Sequence, residues 1–407
     1  MLKGKTVVLG VTGSIAAYKI AGLTSRLVKL GADVHVIMTQ NGTQFINPIT
    51  FESLTGNKCM VETFDRNFQF NIAHISLAAK ADVMLIAPAS ANIIGKLANG
   101  IADDMLSTTA MAMTCPVIIS PAMNVNMYLN PILQDNLKKL ESYGKIIIPA
   151  AEGYLACGTT GAGKMPDEQV LLDYILREIA CEKDLKGKRV MVTAGPTREA
   201  LDPVRFLTNN STGKMGYAIA RQAMLRGAEV TLISGPVSLE APPFIKVIPV
   251  TTAEEMFKAV ESCFENQNIL IKAAAVADYS PAAVSDEKIK KDGGAMDIQL
   301  KPTIDILSWL GTHKKENQVL CGFSMETTNV LDNSRKKLVK KKADLIAANS
   351  LREEGAGFGT DTNHLILITE KEDIDTGMLS KEEAADRLLD VLADIGRYKD
   401  DICSGHR

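Results

Sequence analysis

One local order of residues occurs twice, far apart in the chain, and it narrows the possible folds more than any other feature. Thr6 to Gly10 is short, apolar and β-branched. Val11-Thr12-Gly13-Ser14 interrupts it, a helical pattern runs to Leu30-Gly31-Ala32, and Asp33 to Thr39 is strand-like again. Downstream, Arg189 to Ala194 is a strand pattern and Gly195-Pro196-Thr197 breaks it. A helical pattern from Met215 ends at Arg226-Gly227-Ala228, and Glu229 to Ser234 follows as a strand. Strand, loop, helix, Gly-Ala, strand is the opening of a parallel βαβ unit.

Both halves keep alternating. Residues 83–87, 116–120 and 145–149 continue the first as apolar strand runs. Residues 247–250, 269–275, 319–323, 345–347 and 364–369 continue the second. Unbroken apolar runs suit strands covered on both faces. The pattern predicts an α/β protein with two doubly wound, Rossmann-like parallel-sheet domains. The polar stretch 182–188 separates them, giving 1–183 and 187–407; a chain of 407 residues is long enough for both.

Composition excludes several classes. A formal net charge of −3 provides no basic field for nucleic acid. No run of 18 apolar residues exists to cross a membrane. Met1 to Lys5 leads into a strand without a signal-peptide layout, and seven scattered cysteines form no CxxC pair, so the expected compartment is the reducing cytoplasm. Neither a zinc site nor a redox dithiol is indicated.

Open α/β sheets bind ligands at the carboxyl ends of their strands. In the first half three such ends are small and polar: Gly10 to Ser14, Ala87 to Asn92, and Ser120 to Asn124. One such loop is only a connection, but three together favour a nucleotide or phosphate site. The first loop is not GxGxxG and no Tyr-x-x-x-Lys occurs, which argues against a nicotinamide-dependent reductase. His74 opens a helical stretch. Cys157 lies among Gly and Ala residues that cannot fill a core, where a thiol can serve as a proton donor.

Gly13-Ser14-Ile15-Ala16-Ala17-Tyr18-Lys19, Pro88 to Asn92, Ile94 to Asp104 and Pro121 to Tyr128 together resemble the homo-oligomeric flavin-containing cysteine decarboxylases. The resemblance implies a flavodoxin-like domain with FMN on Gly13, Ser14, Thr39, Ser90, Ala91, Asn92 and Met123. It implies His74 as base, Asn124 as anchor of the substrate carboxylate, and Cys157 as proton donor.

In the second half a long polar run, Asp202 to Gly216, lies between strand and helix, and Ser211-Thr212-Gly213 suits a helix N-cap that could hold phosphate. It is not a Walker A loop. Lys272 to Tyr279 ends a strand in tiny residues, and two basic runs, 288–291 and 335–342, follow. Basic runs are usually solvated surface; two in one domain of an acidic chain point to a polyphosphate.

These motifs resemble the phosphopantothenate–cysteine ligases. The resemblance implies that CTP activates 4'-phosphopantothenate as an acyl-cytidylate and that the amine of cysteine then attacks. Mg²⁺ would be held through the triphosphate. Asn209 would help turn over the acyl-cytidylate, and Lys288 would contact phosphate and the activated carboxylate. Ala274, Asp278, Phe323, Lys337 and Lys341 match CTP-contacting positions. The ligase product, phosphopantothenoylcysteine, is the decarboxylase substrate, so both resemblances imply one bifunctional enzyme of coenzyme A biosynthesis. They also imply decarboxylase trimers and ligase dimers joined in a homododecamer.

Overall fold

The structure, a computed structural model, describes residues 1–64, 73–154, 158, 160–291, 296–326, 329–350, 357 and 359–403. The chain divides into two compact units, Met1–Cys181 and Glu182–Arg407.

The first unit runs β1 (Thr6–Val11), α1 (Ala17–Lys29), β2 (Asp33–Met38), α2 (Gln40–Thr43), α3 (Pro48–Thr55), α4 (Ala73–Lys80), β3 (Val83–Ala89), α5 (Ala91–Ala98), α6 (Met105–Ala112), β4 (Val117–Pro121), α7 (Val125–Tyr128), α8 (Pro131–Ser142), β5 (Ile146–Ile147), β6 (Ala151–Tyr154), β7 (Thr160–Lys164) and α9 (Glu168–Ile179). The five-stranded parallel sheet has the order β2-β1-β3-β4-β5, the flavodoxin-like arrangement. β1, β3 and β4 are buried at every residue, as their unbroken apolar runs require. On one face Val8, Met84, Ile86 and Ile119 pack against Ile93 of α5, Leu106 of α6 and Leu137 of α8. α1 buries Ile20, Leu23 and Leu27, a spacing of three and four that makes one apolar stripe. Each such side chain contributes about 1.5–3 kcal/mol on burial.

The second unit runs β8 (Arg189–Ala194), β9 (Arg198–Ala200), β10 (Phe206–Thr208), α10 (Lys214–Leu225), β11 (Glu229–Ser234), β12 (Lys246–Pro249), α11 (Ala253–Cys263), β13 (Ile269–Lys272), β14 (Tyr279–Pro281), β15 (Leu300–Pro302), α12 (Ile306–His313), β16 (Val319–Glu326), α13 (Val330–Lys340), β17 (Leu345–Ser350), β18 (Thr362–Thr369), β19 (Asp373–Ser380) and α14 (Lys381–Cys403). Its sheet has the order β12-β11-β8-β13-β16-β17-β18-β19. The first six of these are parallel, in the Rossmann order, and β18 and β19 extend them as an antiparallel hairpin.

The repeated Gly-Ala has one cause in both units. The Gly31 N–H bonds Val28 O at 2.9 Å and the Ala32 N–H bonds Leu27 O at 3.1 Å; Gly227 and Ala228 bond Met224 O and Ala223 O, both at 3.0 Å. This is a Schellman ending, and it needs a residue at positive φ, here +91° at Gly31 and +90° at Gly227. The helix therefore stops where the chain must turn into the next strand.

The segments expected as strands at 83–87, 116–120, 319–323 and 345–347 fall in β3, β4, β16 and β17. Two differ in extent. β5 is only Ile146–Ile147 rather than 145–149, and β13 ends at Lys272 rather than Ala275, although Ala275 still bridges Pro196 in parallel.

Candidate functional sites at two topological switch points

In the first unit the strand order reverses between β1 and β3, and the loops leaving their carboxyl ends are tied together. The Thr12 hydroxyl, buried, donates to Pro88 O at 2.6 Å and accepts from the Ser90 N–H at 3.0 Å. The Thr39 N–H bonds Val11 O at 3.0 Å, which brings in the end of β2. Three residues expected at the site are helix caps: the side chains of Thr39, Ser90 and Asn124 accept from Gly42, Ile93 and Asn126 N–H groups. Their positions are fixed by the helices they start.

A cleft of about 390 Å³ opens beside these ends. Ser14, Tyr18, Lys19, Met123, Asn124 and Tyr154 line it. Its wall depends on Gly163, whose carbonyl accepts from the Met123 N–H at 3.0 Å. Gly163 has φ +131°, and a Cβ there would lie 2.5 Å from Met123 O. Gly13 is equally confined, since its Cβ would lie 2.8 Å from that of Asn41. α1 begins without an acidic residue in its first turn, and its Ala17 and Lys19 N–H groups bond Ser14 O at 3.0 Å and Ala16 O at 3.1 Å.

Gly13, Ser14, Thr39, Ser90, Ala91, Asn92, Met123 and Asn124 thus all lie at the carboxyl ends of β1 to β4. Of these, Ser14, Met123 and Asn124 line the cleft, whereas Gly13, Thr39, Ser90, Ala91 and Asn92 do not. His74 is half-buried in the first turn of α4 and does not line it either. Cys157 lies outside the described residues; Tyr154 ends the strand that leads to it. Lys164 also lines the cleft and was not anticipated from the sequence.

In the second unit the order reverses between β8 and β13. Their ends are again laced together: the Ala275 N–H bonds Gly195 O at 2.9 Å, the Ala277 N–H bonds the Thr197 hydroxyl at 3.0 Å, and the Asn209 amide donates to Ala275 O at 3.0 Å. A cavity of about 360 Å³ lies here. Asn209, Ala274, Asp278, Phe323 and Lys337 all line it, together with residues 211–216 at the start of α10. Lys337 Nζ donates to Phe323 O at 2.9 Å. The N-cap of α10 is Gly213, at φ +78°, rather than Ser211 or Thr212; the Ser211 hydroxyl instead accepts from the Gly213 N–H at 3.4 Å.

Lys341 and Lys288 do not line this cavity. Lys341 forms an ion pair with Asp305, the N-cap of α12. Lys288 is exposed on the chain between β14 and β15. That segment is pinned by buried Asp202, which accepts from the N–H groups of Val204, Arg205 and Ile289 and from the Arg205 guanidinium. Burial opposes ionisation of Asp202, but those donors outweigh it and hold its carboxyl well below the usual range.

Sequence reasoning missed part of the cavity. Lys272, Asn349, Asn363 and Lys381 line it as well. The Asn349 amide donates to Asn363 Oδ1 at 2.7 Å. Lys381 Nζ donates to Gly357 O at 3.0 Å and Thr362 O at 3.3 Å, holding the chain that enters β18. Only Lys272 carried a signal: a lysine that ends an otherwise apolar strand run. Among the described residues no group of three or more His, Cys, Asp or Glu side chains could hold a metal ion. No described helix is long and apolar enough to cross a membrane.

Comparison with known proteins matches both units. Residues 1–180 match a family model described as Flavoprotein, and residues 185–395 match the DNA/pantothenate metabolism flavoprotein C-terminal domain. The coenzyme A biosynthesis bifunctional protein CoaBC of Bacillus subtilis (strain 168) is 47% identical over 401 residues, covering 98% of each chain. Its counterpart from Escherichia coli (strain K12) is 42% identical over 400 residues, again 98% of each chain. A crystal structure of the C-terminal domain of a CoaBC protein is 42% identical and covers 53% of this chain and 98% of that one, with a TM-score of 0.46. Related along nearly its whole length to these proteins, the chain belongs to the CoaBC family of bifunctional coenzyme A biosynthesis enzymes.

Proposed function

We propose that this bifunctional enzyme, a decarboxylase and a ligase in one chain, divides its reactions between its two units. The second joins 4'-phosphopantothenate to cysteine at the expense of CTP. The first decarboxylates the resulting phosphopantothenoylcysteine to 4'-phosphopantetheine. One observation carries the division: each unit has its own cavity at the carboxyl edge of its own sheet, and the two are lined by different residues.

FMN would lie across the strand-end loops of the first unit, with the cleft at Ser14 and Met123 along one edge. Those loops are pinned by Thr12, and no acidic residue stands in the first turn of α1 to repel a phosphate. Gly13, Ser14, Thr39, Ser90, Ala91, Asn92 and Met123 would hold the cofactor. FMN supplies, when bound, a two-electron acceptor and donor for the cysteinyl end of the substrate. The protein does the rest. The Asn124 amide hydrogen-bonds the substrate carboxylate, His74 takes the proton released at the thiol end, and Cys157 returns a proton to carbon. The exposed apolar side chains Ile15, Tyr18, Met127, Leu129 and Ile132 support sites completed between copies. Trimers of this unit and dimers of the ligase unit would assemble a dodecamer.

In the second unit the pantothenate carboxylate attacks the α-phosphorus of CTP, pyrophosphate leaves, and an acyl-cytidylate remains. The cysteine amine then attacks the acyl carbon, CMP leaves, and the amine proton passes to solvent. Lys337 holds phosphate oxygens, and the backbone at Ala274 and Phe323 flanks the flat base. Asp278 accepts from a ribose hydroxyl or the base amine, and Asn209 orients the acyl group. Lys288 would join through its own flexible, exposed side chain, and Lys341 by exchanging Asp305 for phosphate. Mg²⁺ would be carried on the triphosphate, the usual habit of this ion.

The test is to incubate the full chain with 4'-phosphopantothenate, cysteine, CTP and Mg²⁺ and to follow pyrophosphate and CO₂ separately. Lys337→Gln should abolish both products, and supplied phosphopantothenoylcysteine should restore CO₂. Asn124→Ala should remove CO₂ and leave pyrophosphate. Loss of both products in Asn124→Ala, despite intact folding, would reject the division.

A further inference from the structure

We propose that Lys272 is a further anion-contacting residue of the second unit's cavity, sharing the polyphosphate of the nucleotide with Lys337; this rests on the CTP site proposed above. Lys272 is the last residue of β13, which lies between β8 and β16 in the sheet. That places it at the centre of the carboxyl edge, beside the switch point. A lysine at a strand end ordinarily extends its ammonium into water. Here the side chain is half-buried, lines the cavity and folds back so that Nζ donates to Ala274 O at 2.9 Å. Lys337 makes a similar bond to Phe323 O within the neighbouring strand β16, one residue beyond Gly322, the sheet partner of Lys272. Two ammonium groups therefore stand on carbonyls close to the level at which β13 ends, facing one cavity.

The surroundings of Lys272 carry both signs of charge. Lys337 and Lys341 face Lys272 from α13, Asp305 from the start of α12, and Asp278 from the turn after β13. Asp305 is already engaged by Lys341. Burial first and Lys337 second push the Lys272 ammonium down to about 8. An anion seated between the two lysines opposes both causes, so it returns Lys272 towards the usual lysine value of ~10.4.

Binding should therefore take up a proton. Below pH 8 the free protein already carries the charge and affinity is level. Above pH 8 the free form loses its proton while the bound form keeps it, so affinity falls. At pH 9 the dissociation constant should be about tenfold that at pH 7. The terminal phosphate adds nothing to this window, because its own ionisation is complete well below it, near pH ~6.

The experiment is calorimetric titration of the full chain with Mg-CTP, without the other substrates, at pH 7, 8 and 9 in two buffers of different ionisation enthalpy. Wild type should show the roughly tenfold weakening and net proton uptake near pH 8 to 9. Lys272→Gln should bind at least tenfold more weakly at pH 7, with no pH dependence from 7 to 9. Lys272→Arg should keep the pH 7 affinity and lose the weakening at pH 9, which a side chain that only closes the strand end would not produce. If the glutamine variant fails to fold, the flat profile of the arginine variant decides. Wild-type binding that is level across this range and unchanged in Lys272→Gln would overturn the role of Lys272 while leaving the CTP site standing. No CTP binding by wild type at any of these pH values would reject the site itself, and the proposal with it.

Discussion

Thr12→Val removes a hydroxyl at nearly constant shape and isolates the link between the ends of β1 and β3. Two hydrogen bonds go at once, the donation to Pro88 O at 2.6 Å and the acceptance from the Ser90 N–H at 3.0 Å. Thr12 is only 1% exposed, so water cannot replace its hydroxyl without rearrangement. A buried group left unpaired costs ~1–3 kcal/mol. Ser90 is half-buried, which puts its share at the low end. The expected loss is about 2–3 kcal/mol, or about 4–12 °C in the melting temperature of a unit this size. Thr12→Ser keeps the hydroxyl and serves as the control. The assay is thermal release of flavin fluorescence from the full chain, with pyrophosphate formation measured in parallel. Flavin release should shift downwards in the valine variant while pyrophosphate formation stays level. A valine variant that releases flavin at the wild-type temperature would refute the claim that Thr12 holds the switch point together.

Two further changes probe other parts of the argument. Gly163→Ala places a methyl group 2.5 Å from Met123 O at φ +131°, and about 1–3 kcal/mol of backbone strain accompanies it. CO₂ release should fall at least tenfold with pyrophosphate unchanged; an unaffected decarboxylation rate would show that the wall at Met123 is not part of the site. At Asp33 burial opposes ionisation, but Asn57, His35 and Lys80 outweigh it and lower the carboxyl to about 2. A lowered folded value means that its stabilising contribution is complete above the unfolded pKa of ~3.9 and is lost as pH falls towards 2. Asp33→Asn should accordingly flatten the acid-unfolding profile between about pH 4 and 2, and an unchanged profile there would refute it.

The fold was legible where local and tertiary preferences agree. Runs such as Val83 to Ala87 are apolar, β-branched and buried on both faces, and they became central strands. The paired Gly-Ala endings were visible because only a glycine readily adopts the left-handed turn. The antiparallel additions were legible only in part: 364–369 was expected as a strand and lies in β18, but β19 and the hairpin of the first unit were not. Ala151–Tyr154 and Thr160–Lys164 pair as a hairpin despite three glycines between them, and Asp373–Ser380 is polar for a strand. Both are held by a neighbour rather than by their own propensity.

The sites divide in the same way. Residues on loops that must leave a parallel sheet, such as Gly13, Ser14, Asn124, Asn209 and Ala274, could be placed because sheet topology dictates where those loops gather. Partner choice was hidden. Lys337 and Lys341 sit one turn apart, yet one lines the cavity and the other pairs with Asp305. Nothing in a run of lysines distinguishes them. Lys381, more than a hundred residues from β13, reaches the cavity only through the hairpin that precedes it.

That hairpin makes the second unit's cavity sensitive to sliding. Because β18 runs against β17, the beginning of β18 reaches the carboxyl edge of the sheet, and Asn363 is delivered to Asn349 from the opposite chain direction. A one-residue slip of β18 would turn Asn363 away and bring His364 into its place. A neutral amide wall would become an imidazole wall whose charge follows the acidity of the surroundings. Alignment along a strand edge thus decides whether the rim of that cavity presents an amide or an imidazole.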